Sequence, residues 1–142
     1  FNDTKEGSFA LRLCPSLSIK ESKEAHILTS EGAKDKKAWG TRAKWVTYHG
    51  PDPKGHAVSV TVFDHLQNLR HPTWWHARDY GLFAANPFGI HDFEKAEDKT
   101  KGNHILPKGQ TMTQRYRVLI EAGEPDQAKL AEKFAAFGAS AQ

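Results

Sequence analysis

The stretch from His65 to Gly81 holds three of the chain's eight histidines and two of its four tryptophans, with Arg78, Asp79 and Tyr80 close behind. These residue types suit work on a polar ring. An aromatic side chain offers a flat apolar partner to the C–H face of a pyranose, and His and Arg supply hydrogen bonds to hydroxyls or a carboxylate. A histidine also exchanges protons near neutral pH. If 72–80 is extended, Trp74, His76, Arg78 and Tyr80 share one face, while Trp75, Ala77 and Asp79 share the other. The first set predicts a ligand surface, with His76 as acid/base and Trp74 and Arg78 orienting a sugar. The second predicts a core anchor, with Asp79 needing a partner if buried. Mutarotation or epimerisation needs a second acid/base group, for which Asp79, Glu6 or another histidine such as His71 is available. Packing is the competing reading, because Trp and Tyr fill β-sandwich cores and Arg commonly covers an aromatic face.

A metal is a further option. His65, His71 and His76 are imidazole donors, and Asp64 or Asp79 adds an oxygen. The spacing offers neither His-x-His nor His-Glu-x-x-His. His71 and His76 fall on opposite sides of a regular strand, and only a turn at Pro72 brings them together. A copper or other divalent metal protein with oxygenase-type chemistry is therefore an alternative to the sugar enzyme, as is a non-catalytic carbohydrate-binding module. Asn86, before Pro87 in Ala84-Ala85-Asn86-Pro87-Phe88-Gly89, reads as a turn residue whose amide is able to face a ligand. Nucleophile elbows, Walker A loops and dinucleotide fingerprints are missing from the sequence.

The elements that must position these groups are mostly strands. Phe9, Leu11 and Leu13 alternate inward. Residues 18–37 form a polar excursion interrupted by His26-Ile27-Leu28. Residues 39–49 read as a strand ending at Gly50-Pro51-Asp52-Pro53. Val58, Val60 and Val62 alternate with Ser59, Thr61 and Phe63, and 111–120 alternates again. Leu130, Phe134 and Phe137 line one stripe of a helix over about 125–138, with Pro125 in its first turn and Gly138 at its end. The prediction is an all-β, antiparallel β-sandwich with one C-terminal α-helix, either a single domain or the C-terminal part of one.

Composition narrows the class. The 142 residues carry 20 Lys and Arg against 17 Asp and Glu, and the mean hydropathy is -0.66. This balance, with no basic stripe, points away from nucleic acid, and no apolar run is long enough for a membrane helix. The start at Phe1 has no apolar signal region and no Met, and is read as a processed or incomplete chain. Soluble, periplasmic and secreted settings all fit. Cys14 is alone, so no intrachain disulfide and no cysteine-based zinc site forms.

Several blocks recur in order: Asp3-Thr4-Lys5-Glu6-Gly7, Phe9-Ala10-Leu11-Arg12, Ala38-Trp39-Gly40, Phe63-Asp64-His65, Arg70-His71-Pro72, residues 75–81 and 84–89, and Arg115-Tyr116-Arg117. In these the chain resembles the bacterial family labelled "methane oxygenase PmoA", in particular the C-terminal half of its members, which are usually about twice this long. The resemblance does not extend to the membrane subunit of particulate methane monooxygenase, which is built from transmembrane helices. It implies a soluble β-sandwich similar to the galactose-mutarotase-like supersandwich. It also implies carbohydrate work, since relatives tend to be encoded near sugar oxidoreductases and isomerases. Matching positions carried over as site candidates are His71, His76, Arg78, Asp79, Tyr80 and Asn86, followed by His65, Lys5 and Glu6. If half a sandwich is all there is, a homodimer is one way to cover its open edge and face.

Overall fold

The computed structural model describes residues 8–139. Lys5 and Glu6, two of the substrate-binding candidates, lie outside them. Among the described residues, seven strands form two antiparallel sheets. Strands β1 (Phe9–Arg12), β6 (Leu82–Asn86) and β5 (Trp74–Ala77) make a three-stranded sheet in the order β1-β6-β5. Strands β2 (His26–Thr29), β3 (Trp45–Pro51), β4 (Ala57–Asp64) and β7 (Tyr116–Ala122) make a four-stranded sheet in the order β2-β3-β4-β7.

Period-two patterning accounts for how the sheets meet. Ile27, Val46, Tyr48 and Val62 from the larger sheet pack against Trp75, Ala77, Phe83 and Ala85 from the smaller one, which is the alternation expected of two sheets sharing a core. Trp75 is fully buried there and donates its indole N–H to the Ala43 carbonyl at 2.9 Å. The outer face of the larger sheet is covered by helix α2 (Gln127–Gly138), whose Leu130, Phe134 and Phe137 meet Leu28, Trp45 and Phe63. The all-β sandwich with a C-terminal helix is therefore as the sequence indicates.

Details differ for physical reasons. Pro125 sits one residue before the helix cap: Asp126 accepts hydrogen bonds from the Ala128 and Lys129 amides at 3.0 and 3.2 Å, so the carboxylate, and not the proline, starts the helix. The strand expected over 111–120 runs from Tyr116 to Ala122, and the one expected over 39–49 runs from Trp45 to Pro51. A short helix, α1 (Ile90–Glu94), follows the Asn86-Pro87 turn.

Candidate functional site

The face split of β5 is as the alternation indicates. Trp75 and Ala77 point into the core, and Trp74 and His76 point to the outer face of the smaller sheet. That outer face is not open. Ile90 and Phe93 of α1 and the Trp39 ring pack over Trp74, and His76 has Trp39 and Phe93 edge-on at ring-centroid distances of 6.2 and 6.1 Å. Trp74 is 5% exposed and His76 4%. Arg42 lies 4.4 Å over the Trp74 ring and donates to the Pro72 and Arg70 carbonyls. Trp74 is thus packed where the sequence suggested a sugar platform.

The aromatic surface that does open to a cleft is Trp39. It follows a 3-10 turn (Asp35–Ala38) and is brought over β5 by backbone bonds from Gly40 N to the Trp75 carbonyl (2.8 Å) and from Trp75 N to the Thr41 carbonyl (3.0 Å). Asp35 secures the turn by accepting from the Ile27 amide at 3.0 Å. Trp39 Nε1 is buried and has no hydrogen-bond partner among the described residues. Lys36, Trp39, Ala77, Arg78 and Asp79 line a cleft of about 250 Å³. That is just below the ~300–1,000 Å³ usual for drug-sized ligands and suits one small ring.

The Arg78–Asp79 side of the cleft is held by hydrogen bonds. Strand β5 ends at Ala77, and Arg78 to Gly81 form a turn closed by Arg78 N to the Leu82 carbonyl at 2.8 Å. The buried Tyr48 hydroxyl sits 3.1 and 3.0 Å from the Arg78 and Leu82 carbonyls. Burial pushes its pKa far up, so it stays a donor. Ser18 Oγ and Lys20 N both donate to the Asp79 carbonyl, at 2.7 and 2.9 Å. Asp79 Oδ2 is 3.6 Å from Lys36 Nζ. Tyr80 lies between the Arg12 and Arg78 guanidiniums, at 5.1 and 5.3 Å. His76, Arg78, Asp79 and Tyr80 are therefore gathered at one end of β5. Asn86, directly opposite Trp74, is fully buried and its Oδ1 accepts from Phe88 N at 2.8 Å.

Gly89 holds this cover together. A Cβ at that position meets Phe93 Cε2 at 2.5 Å and Asn86 Nδ2 at 2.7 Å. Gly89→Ala is expected to displace Phe93 from His76 and to lower stability by about 1–3 kcal/mol, measured by urea unfolding.

His71 and His65 sit elsewhere. His71 Nδ1 is 2.7 Å from Asp64 Oδ2, and its ring is parallel to Phe134 of α2 at 6.0 Å. Fully buried Asp64 also accepts from Asn68 Nδ2 at 2.7 Å and Thr73 N at 3.0 Å. His65 packs edge-on against Phe137, and its Nδ1 accepts from Gln67 N. His65 and His71 flank α2 while His76 faces α1, so the three do not converge. Among the described residues, no three His, Cys, Asp or Glu side chains gather as a metal-binding set. The Asp64–His71 pair does the work of a loop staple, and Asp64 came into the sequence reading only as a spare metal ligand. Lys36 was missed because it lies in the polar 18–37 excursion, and Trp39 because it was read as the start of a strand; the tryptophan was the available signal.

A second histidine cluster lines a cleft of about 380 Å³ at the far edge of the larger sheet. His26 and His49 are directly paired across β2 and β3, with rings 5.5 Å apart. His49 Nδ1 lies 2.5 Å from Glu124 Oε2, without hydrogen-bond geometry. Burial lowers the His49 pKa, with the Glu124 carboxylate opposing. Glu124 is mostly exposed, so water screens its pull and burial prevails. The unfolded chain then binds that proton more readily. The stability contributed by neutral His49 is full above pH ~6.5 and declines as pH falls through that value. His49→Gln is expected to flatten this part of the curve of unfolding free energy against pH; an identical acid limb in wild type and variant would contradict it.

Among the described residues, no helix is long and apolar enough to cross a membrane. A family model described as a family of unknown function (DUF6807) matches residues 1–135. No curated protein and no solved structure matches the chain.

Proposed function

We propose, for a chain that belongs to the DUF6807 family of unknown function, a carbohydrate-directed role: binding a small acidic sugar in the Trp39–Arg78–Asp79 cleft and catalysing acid/base chemistry of the mutarotase type there. The observation that carries this reading is the composition of the cleft. One aromatic wall, two cations and one carboxylate line a space sized for a single ring. The ring stacks on Trp39, its carboxylate meets Arg78 and Lys36, and its hydroxyls meet Asp79. Lys36 also lines a neighbouring, larger cleft, where Lys23, Lys34 and Lys37 outnumber the one carboxylate, Asp35, so the field at the mouth favours an anion. Ring opening moves one proton off the anomeric hydroxyl and one onto the ring oxygen, and needs no cofactor. In this reading Asp79, which lines the cleft, takes the first, and His76, edge-on to Trp39, gives the second once the indole shifts. The likeness to PmoA-labelled proteins supports the same carbohydrate direction.

A second reading, a binding module without catalysis, is favoured by the burial of His76 behind Trp39. Calorimetric titration with galacturonate and galactose tests the shared premise. Galacturonate is expected to bind at least tenfold more tightly than galactose, and Trp39→Ala to weaken it at least tenfold. Equal binding of both sugars, or a Trp39→Ala variant with full affinity, would remove the cleft from consideration.

A further inference from the structure

Strand β7 carries an exposed apolar ladder that no other element among the described residues covers. Among the described residues it pairs with β4 alone. Val118 and Ile120 stand opposite Val62 and Val60 on the face that elsewhere forms the core. The smaller sheet reaches only as far as Tyr116, through its stack with Phe9 at 4.8 Å. Val118 is left 39% exposed and Ile120 72%. Open edges with apolar side chains pair with another strand unless something blocks them, and neither a proline nor an inward charge interrupts Tyr116–Ala122.

We infer that β7 is a homodimer interface, in which two copies pair antiparallel about Leu119 to join their four-stranded sheets. The backbone phase supports this register. His65 N donates to the Arg115 carbonyl and Gly123 N to the Ala57 carbonyl, so the odd-numbered residues of β7 turn their polar groups to β4. Tyr116, Val118, Ile120 and Ala122 turn theirs outward. A two-fold axis at Leu119 sets Val118 opposite the partner copy's Ile120 as a hydrogen-bonded pair, and Leu119 opposite itself as a non-hydrogen-bonded pair.

Charge selects the same register. On the other face of β7, Arg117 lies over the Phe137 ring and Glu121 pairs with Lys133. Pairing about Leu119 sets each Arg117 opposite the other copy's Glu121, twice by symmetry. A second copy of this chain is therefore complementary to β7 in apolar side chains, in backbone groups and in charge.

Sedimentation velocity on the full chain over a wide concentration range is the test. A dimer is expected, with Val118→Lys/Ile120→Lys monomeric; both sites are exposed, so circular dichroism should stay native. Arg117→Glu is expected to weaken the dimer about tenfold, and Arg117→Glu/Glu121→Arg to restore it. Leu119→Cys in a Cys14→Ser background should give a disulfide-linked dimer on oxidation, because opposed non-hydrogen-bonded residues lie ~4.5 Å apart at Cα, within disulfide reach. A monomer at every concentration, or a dimer that survives Val118→Lys/Ile120→Lys, would overturn the inference.

Discussion

Asp64→Ala is expected to lower the free energy of unfolding by about 3–5 kcal/mol, the largest loss of any single polar substitution considered. The carboxylate is fully buried at the end of β4 and is the common acceptor for Asn68 Nδ2, His71 Nδ1 and Thr73 N. Alanine leaves those three donors facing one another without water. Asn68 keeps a bond to the Arg115 carbonyl at 2.6 Å, but among the described residues the Thr73 amide has no acceptor besides Asp64. The loop from His65 to Thr73 leads directly into β5, so its loosening reaches the cleft. Urea unfolding monitored by tryptophan fluorescence measures the effect; a loss below about 1 kcal/mol would mean that the staple carries little of the fold. His71→Ala removes one of the three donors together with the carboxylate's partner and the ring beside Phe134, and should cost less than Asp64→Ala.

His76→Gln is expected to slow galacturonate mutarotation by about 10²–10⁴-fold while leaving galacturonate affinity within a few-fold of wild type. Glutamine retains much of the ring's volume and its hydrogen-bonding capacity, which matters because His76 is covered by Trp39 and Phe93. His76→Ala opens a cavity beneath both rings, and so confounds chemistry with stability. The readout is anomer exchange by NMR, compared with the calorimetric affinity of the same variant. Exchange at the wild-type rate in His76→Gln would remove this histidine from the chemistry and leave the binding-module reading.

Local alternation carried most of the fold. Val58, Val60 and Val62 against Ser59, Thr61 and Phe63 described β4 correctly, and the split of Trp74 and His76 from Trp75 and Ala77 described β5. The spacing of Leu130, Phe134 and Phe137 described α2. What period alone does not show is what covers an outward face. Trp74 read as exposed because the groups that bury it, Trp39, Arg42 and α1, lie far from it in the chain, the nearest of them 16 residues on at Ile90 (90 − 74). Trp39 read as part of a strand, yet backbone bonds between Gly40, Thr41 and Trp75 place it across β5. The Asp64–His71–Thr73 cluster depends on a turn that doubles the chain back within nine residues, and nothing in residue type distinguishes its carboxylate from a solvated one. Of the site candidates, Arg78 and Asp79 line the Trp39 cleft, His76 lies against the Trp39 and Phe93 rings, Tyr80 sits by the Arg12 and Arg78 guanidiniums, and His65 and His71 belong to the packing around α2.

The most direct test of the acidic-sugar cleft is a ¹⁵N-correlated NMR titration with galacturonate, read at the four tryptophan indole N–H signals. The Trp39 indole N–H has no partner in the free protein, whereas that of Trp75 is already bonded to Ala43. The account predicts a saturable shift of the Trp39 indole and of the Arg78 and Asp79 amides, with the Trp75 indole unmoved and the response lost in Arg78→Ala. Spectra unchanged by galacturonate, or shifts centred away from Trp39 that persist in Arg78→Ala, would contradict it.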